Sequence, residues 1–287
     1  MRRLPVLAVV REAYAFTFAH LGAIIALIWL PMALVTVLGF FAEQRIFAAL
    51  QAAYAAHGAA VTAGPALLLF PGYIILAMLL YAAMMVAVAG LALGTRQPGR
   101  IPFHFGMAEW RLFRAWFGLT LFLLVPLVLF MLGVSALVPA DPSAMTAIQA
   151  SRLSLLVLLL AGAMIFVGLR FTFLLPGQAA GEGAAERGLL TRAWTLSGGN
   201  FWRIFAVVVA CVVPVYLCGG VLEAIVEIML SPGRPAPGDF AAMVAHSRET
   251  LPLTKGFQFL LAPFIIGLMA SASVYAGREL NRTDISA

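Results

Sequence analysis

Six long apolar runs separated by shorter polar stretches set the plan of this 287-residue chain. They cover about residues 21–41, 66–93, 115–138, 153–175, 201–230 and 257–276. At 1.5 Å per residue, some twenty residues of helix cross roughly 30 Å, the thickness of a bilayer's hydrocarbon core. Pro31, Pro126 and Pro214 fall inside the first, third and fifth runs and are expected to bend them; Pro71 falls in the first turns of the second.

The polar stretches carry their own pattern. Leu7, Val10, Tyr14 and Phe18 recur at spacings of three and four, with Arg3, Arg11 and Glu12 elsewhere on the wheel. This predicts a short amphipathic helix lying in the membrane interface. Residues 109–114, Glu-Trp-Arg-Leu-Phe-Arg, predict a second interfacial piece, and residues 182–200, ended by Gly198 and Gly199, a third. Residues 43–64 read as a short helix plus turn outside the membrane, and residues 231–252, with four prolines, as the longest polar connector. A polar tail is expected from Gly277 onward.

The expected fold is therefore an all-α membrane protein. A single domain, 1–287, holds six transmembrane helices plus three short cytoplasmic interfacial amphipathic helices. Interfacial helix, proline-containing span, connector and second span recur three times, over residues 4–96, 103–178 and 182–279. Two spans per unit keep the units in one orientation, so the pattern predicts a parallel three-fold repeat. Against it stands the alternation of loops in any six-helix membrane protein.

Composition supports lipid as the solvent. The chain is 63% hydrophobic and 10% charged, against about 25% charged in soluble domains. The net charge of +6 does not point to nucleic acid, because the arginines sit at the ends of apolar runs and form no dense basic patch. With six spans, only Arg45, Arg152, Arg234, Arg248 and Lys255 fall on the side opposite the termini, out of 18 Lys and Arg. The positive-inside rule then puts both termini in the cytoplasm. Arg11 and Glu12 interrupt the first apolar stretch too early for a cleavable signal peptide.

Few residues invite chemistry. Arg170 lies about one turn inside the end of the fourth run. An arginine at depth costs about 2.5–3.5 kcal/mol, less when it snorkels, so it needs a lipid phosphate or a partner such as Glu182. Arg187, Arg192 and Arg203 are further candidates for headgroup contact or structural pairing, and Tyr14, Trp110, Trp194 and Trp202 for interfacial anchors. Glu223 and Glu227, four apart near the end of the fifth run, suit ion coupling, or the plainer role of capping the interface beside Lys255 or Arg234. The four histidines have no partner at metal-ligand spacing, and no nucleophile elbow or phosphate loop occurs. No metal, cofactor or catalytic constellation is expected; the expected partner is membrane phospholipid. Cys211 and Cys218 read as packing residues.

Arg170, Pro176, Glu182 and the run Trp194-x-Leu196-x-x-Gly199-x-Phe201-Trp202-Arg203 resemble a known pattern. It is that of bacterial six-span membrane proteins similar to the membrane domain fused to some glycerophosphoryl diester phosphodiesterases, in stand-alone form. Ala193 stands where that family often has Ser, and Ser197-Gly198 where it has a Thr and a basic residue. The resemblance implies a bacterial inner membrane and a link to lipid metabolism or envelope homeostasis. In the fused proteins the chemistry resides in a separate soluble barrel of about 250 residues with a metal-binding carboxylate cluster, which this chain lacks. The expected function is thus non-catalytic and lipid-associated. A transporter or lipid translocator is the alternative, and a membrane-bound enzyme subunit the third reading.

Overall fold

The structure, a computed structural model, describes residues 3–55, 65–96, 105–137, 147–181, 188–230 and 240–281. Within them the chain forms nine helices: α1 (Val6–Ala19), α2 (Leu21–Ala55), α3 (Pro65–Leu93), α4 (Met107–Leu137), α5 (Ala147–Thr172), α6 (Leu175–Ala180), α7 (Leu189–Ser197), α8 (Phe201–Leu230) and α9 (Phe240–Asn281). Six stretches are long and apolar enough to cross a membrane: Leu21–Ala49, Pro71–Leu93, Met107–Val134, Ser151–Ala180, Phe201–Met229 and Ala241–Asn281. The molecule is an all-α, multi-pass membrane protein.

The bundle is built on α9. Its 42 residues reach about 63 Å, far beyond a hydrocarbon core. Ala270 to Val274 are five successive buried residues, more than a full turn, so α9 is covered on every side there. The small side chains Ala270, Ser271, Ala272, Ser273 and Ala276 permit that close packing. Around it stand α1, α2, α3, α6 and α8. One core gathers Leu4, Val9, Ala13, Leu112, Phe173, Leu174, Leu175, Ile204, Cys211 and Leu268. A second joins Phe16, Ile24, Ile28, Met32, Met84, Val88 and Ile266.

The first expected interfacial helix does not lie across the bundle. Leu4 sits at Asn200 and Arg203, and Tyr14 sits at Ala210, so α1 climbs in step with α8. It also follows the last part of α9, where Phe16 meets Tyr275 and Phe18 meets Phe264. At His20 the backbone steps rather than turns away. Its N–H donates to Phe16 O at 3.0 Å, and its carbonyl accepts from Ile24 N–H at 2.9 Å. Together α1 and α2 trace one broken helix antiparallel to α9. The reason is the apolar edge of α1, which buries Val9, Ala13 and Phe16 in protein instead of lipid.

Other boundaries shift as well. Residues 43–55 continue α2 rather than forming a separate short helix, and residues 109–114 are opening turns of α4, not a detached interfacial piece. Helix α9 begins at Phe240, inside the expected connector, and ends at Asn281, inside the expected polar tail. Pro176, the first residue past the expected fourth run, sits in the first turn of α6. There its missing N–H costs nothing. The break at Phe173–Leu174 pushes α6 into the core, where Gly177 meets α9 so closely that an added Cβ lies 3.0 Å from Ser273 backbone. Gly177 N–H donates to Ser273 Oγ at 2.9 Å, pinning the two helices.

One helix stands apart. Leu155 to Leu159 of α5 are all between 48% and 69% exposed. Five successive exposed residues exceed a turn, so among the described residues no face of α5 is covered there. It is held near its other end, where Phe166 meets Phe201 of α8 and Phe171 meets Trp194 of α7.

Candidate functional site

Two polar regions flank the apolar middle of the bundle. The first joins the end of α5 to α7, α8 and the start of the chain. Arg170 donates from Nε to Ser197 Oγ at 3.1 Å and from Nη2 to Trp194 O at 3.2 Å. Its guanidinium lies 3.5 Å from the centre of the Trp194 indole and 5.5 Å from that of Phe166. Such cation–π contact contributes about 0.5–2 kcal/mol. Ser197 is fully buried and donates in turn to Trp194 O at 3.0 Å. Gly199, at φ +69°, turns the chain from α7 into α8, a conformation that costs glycine little.

Asn200 and Arg203 then hold the N-terminal segment. Leu4 N–H donates to Asn200 Oδ1 at 3.0 Å, and Arg203 Nη1 donates to Leu4 O at 2.9 Å. Both backbone groups of buried Leu4 are thereby satisfied. Nearby, Glu109 is 4% exposed; it accepts from Arg96 at 3.3 Å and from Gly106 N–H at 3.0 Å, closing the α3–α4 corner.

The second region lies at the opposite end, where α2, α8 and α9 extend together. Glu223 accepts from Thr254 Oγ1 at 2.6 Å, and Glu227 pairs with His246 Nε2 at 2.8 Å. On the other side of α9, Lys255, only 8% exposed, donates to Glu43 at 2.6 Å and to Gln258 at 3.2 Å. Arg248 reaches Gln44 at 3.2 Å and Gln51 at 3.3 Å. Thus α9 carries two polar edges, one toward α8 and one toward α2.

These contacts redistribute the roles expected of single residues. Arg170 has its partners in α7; Glu182 and Arg187 lie outside the described residues. Arg203 spends a nitrogen on Leu4 O, and Arg192 lies half-buried on α7. Tyr14, expected at an interface, donates its hydroxyl to Ala210 O at 2.9 Å within the protein. Trp110, Trp194 and Trp202 keep exposed surface, Trp202 most at 76%. Glu223 and Glu227 are engaged by α9, while Lys255 turns to Glu43. Of the two cysteines, Cys211 packs in the core and Cys218 is exposed.

Sequence reasoning missed Ser197, Asn200, His246, Thr254 and Glu43. A signal existed for two of them: His246 and Thr254 are eight apart, two four-residue steps, so the pair, like Glu223 and Glu227, lies on one helix face. Among the described residues no group of three His, Cys, Asp or Glu is placed to hold a metal ion.

The fold thus defines an integral, multi-pass helical membrane protein. Compared with known proteins, the chain matches no family model, no curated protein and no solved structure.

Proposed function

We infer that this is a non-catalytic integral protein of a bacterial inner membrane that associates with phospholipid, with both termini in the cytoplasm. The observation that carries the reading is the stretch Leu155–Leu159 of α5, exposed on all faces among the described residues while its end is clamped through Arg170. Lipid tails are the natural cover for apolar side chains at that depth. Exposed residues of α4 and α8, among them Phe122, Leu129, Leu217 and Leu222, extend the same apolar surface. Exposed Trp194 and Trp202 supply aromatic anchors near the clamped end. The resemblance of residues 170–205 to the glycerophosphoryl diester phosphodiesterase membrane domain adds weight to a role in lipid or envelope homeostasis.

Transport or lipid translocation is the second reading, favoured by Glu223 and Glu227. Their bonds to Thr254 and His246 tie them instead to the joining of α8 and α9.

Native mass spectrometry of the detergent-purified protein tests the proposal. Phospholipid retained at stoichiometric amounts is the expected result. A bare protein that moves a solute across reconstituted vesicles favours transport, and turnover of any substrate by the pure protein contradicts the non-catalytic reading.

A further inference from the structure

A cleft of about 510 Å³ opens between α1 and the end of α9. It has the size of a small-molecule site. Glu12, Arg278 and Glu279 stand at its outer end, and Ala15, Phe16, Ala19, His20 and Tyr275 line it toward the middle of the bundle. This order follows from the course of the helices. Passing inward along α1 leads from Glu12 to His20, and passing inward along α9 leads from Glu279 to Tyr275. Arg278 and Glu279 directly follow the last apolar run, so the charged mouth falls at headgroup level. The ring walls are fixed: Phe16 stacks on His20 with centroids 4.6 Å apart and meets Tyr275 edge-on at 6.4 Å. The small side chains of Ala15 and Ala19 leave the space beside them.

Resting on the lipid-associated reading above, we propose that this cleft is a headgroup site for a phosphoethanolamine group, with the glycerol and first methylenes of a phosphatidylethanolamine lipid lying against the rings. Charge chooses the ligand. Two carboxylates and one guanidinium make the mouth acidic on balance, in a chain whose net charge is +6. A purely anionic headgroup meets repulsion from Glu12 and Glu279. A primary ammonium offers three N–H donors, and each carboxylate offers about four acceptor positions even when one is already engaged. The adjoining phosphate suits the guanidinium of Arg278. A quaternary choline ammonium has no N–H to give, so the carboxylates select against it as well.

The test uses the full-length protein in detergent with short-chain phosphatidylethanolamine, phosphatidylcholine and phosphatidylglycerol as probes, and free phosphoethanolamine as competitor. Binding of the ethanolamine lipid about tenfold tighter than the other two is expected, the yield of one charge-assisted hydrogen bond. Glu12→Gln with Glu279→Gln should remove that preference, and Arg278→Gln should weaken all phosphate-bearing probes. Glu12 and Arg278 are exposed and Glu279 is half-buried outside the core, so these changes spare the core. Ala19→Leu, which narrows the cleft and keeps every charge, should lower ethanolamine-lipid binding while the unfolding midpoint holds. Displacement by free phosphoethanolamine assigns the affinity to the headgroup alone; failure to displace assigns it to headgroup and chain together, and either agrees with the proposal. Equal binding of the three lipids, or a preference unchanged in the double Gln variant, overturns it and leaves lipid association standing. Binding of none of the three overturns both.

Discussion

Pro214 has no N–H, so in α8 it leaves the carbonyl of Ala210 without its helical donor. Tyr14 supplies the missing bond from α1 at 2.9 Å. The pairing explains why a tyrosine rather than a phenylalanine sits there, and it makes a quantitative prediction. Tyr14→Phe should destabilise the protein by about 1–3 kcal/mol, the cost of a part-buried acceptor left unpaired away from water. Restoring an N–H with Pro214→Ala should shrink that cost, giving a coupling of about 1 kcal/mol in a double-mutant cycle of unfolding in detergent. Strict additivity of the two changes would refute the role. Arg170 obeys similar logic. Ser197→Ala removes the acceptor of its Nε, and a loss of about 1–3 kcal/mol in the same assay is expected. Arg170→Lys should not restore the clasp, because an ammonium cannot both stack on Trp194 and fork between Ser197 and the Trp194 carbonyl. The sequence marks Arg170 as needing a partner, since burial of a charge demands one. It does not reveal that partner, because Ser197 becomes its neighbour only after Gly199 turns the chain.

The elements show where a reading of hydropathy stops. Apolar runs disclose the six spans because hydrocarbon demands them, and the fifth agrees closely with α8. Residues 240–256 disclose less, since their polar residues and Pro252 resemble a connector. They are helical because His246 and Thr254 meet Glu227 and Glu223, while Lys255 meets Glu43. Glu43→Leu should therefore destabilise by about 1–3 kcal/mol by leaving Lys255 short of an acceptor. Adding Lys255→Met should recover most of the loss, since it removes the buried ammonium left short of an acceptor, and apolar replacement of both members of such a pair is often neutral. No recovery in the double variant would show that the contact is incidental. α1 teaches a related point. Its amphipathic pattern is real, but the pattern alone cannot distinguish a lipid surface from the flanks of α8 and α9 as the partner of the apolar edge.

Seen whole, the molecule has a densely packed axis in α9 and a thinly covered edge in α5. The contact of Phe166 with Phe201, the Leu4–Arg203 bond and the cleft beside Arg278 place the starts of α1 and α8 with the ends of α5 and α9. Glu43, Glu227, Arg248 and Lys255 gather at the other end. This two-ended arrangement separates Arg203 and Arg278 from Arg248 and Lys255, and the orientation proposed above turns the first end to the cytoplasm. Single cysteines at Arg11, Thr191, Ser247 and Glu249, all exposed, probe it in a background lacking Cys211 and Cys218. Labelled with a membrane-impermeant maleimide in intact cells and in inverted vesicles, positions 11 and 191 should react only from the cytoplasmic face, and positions 247 and 249 only from the other. Reaction of all four from one face would contradict a six-span chain.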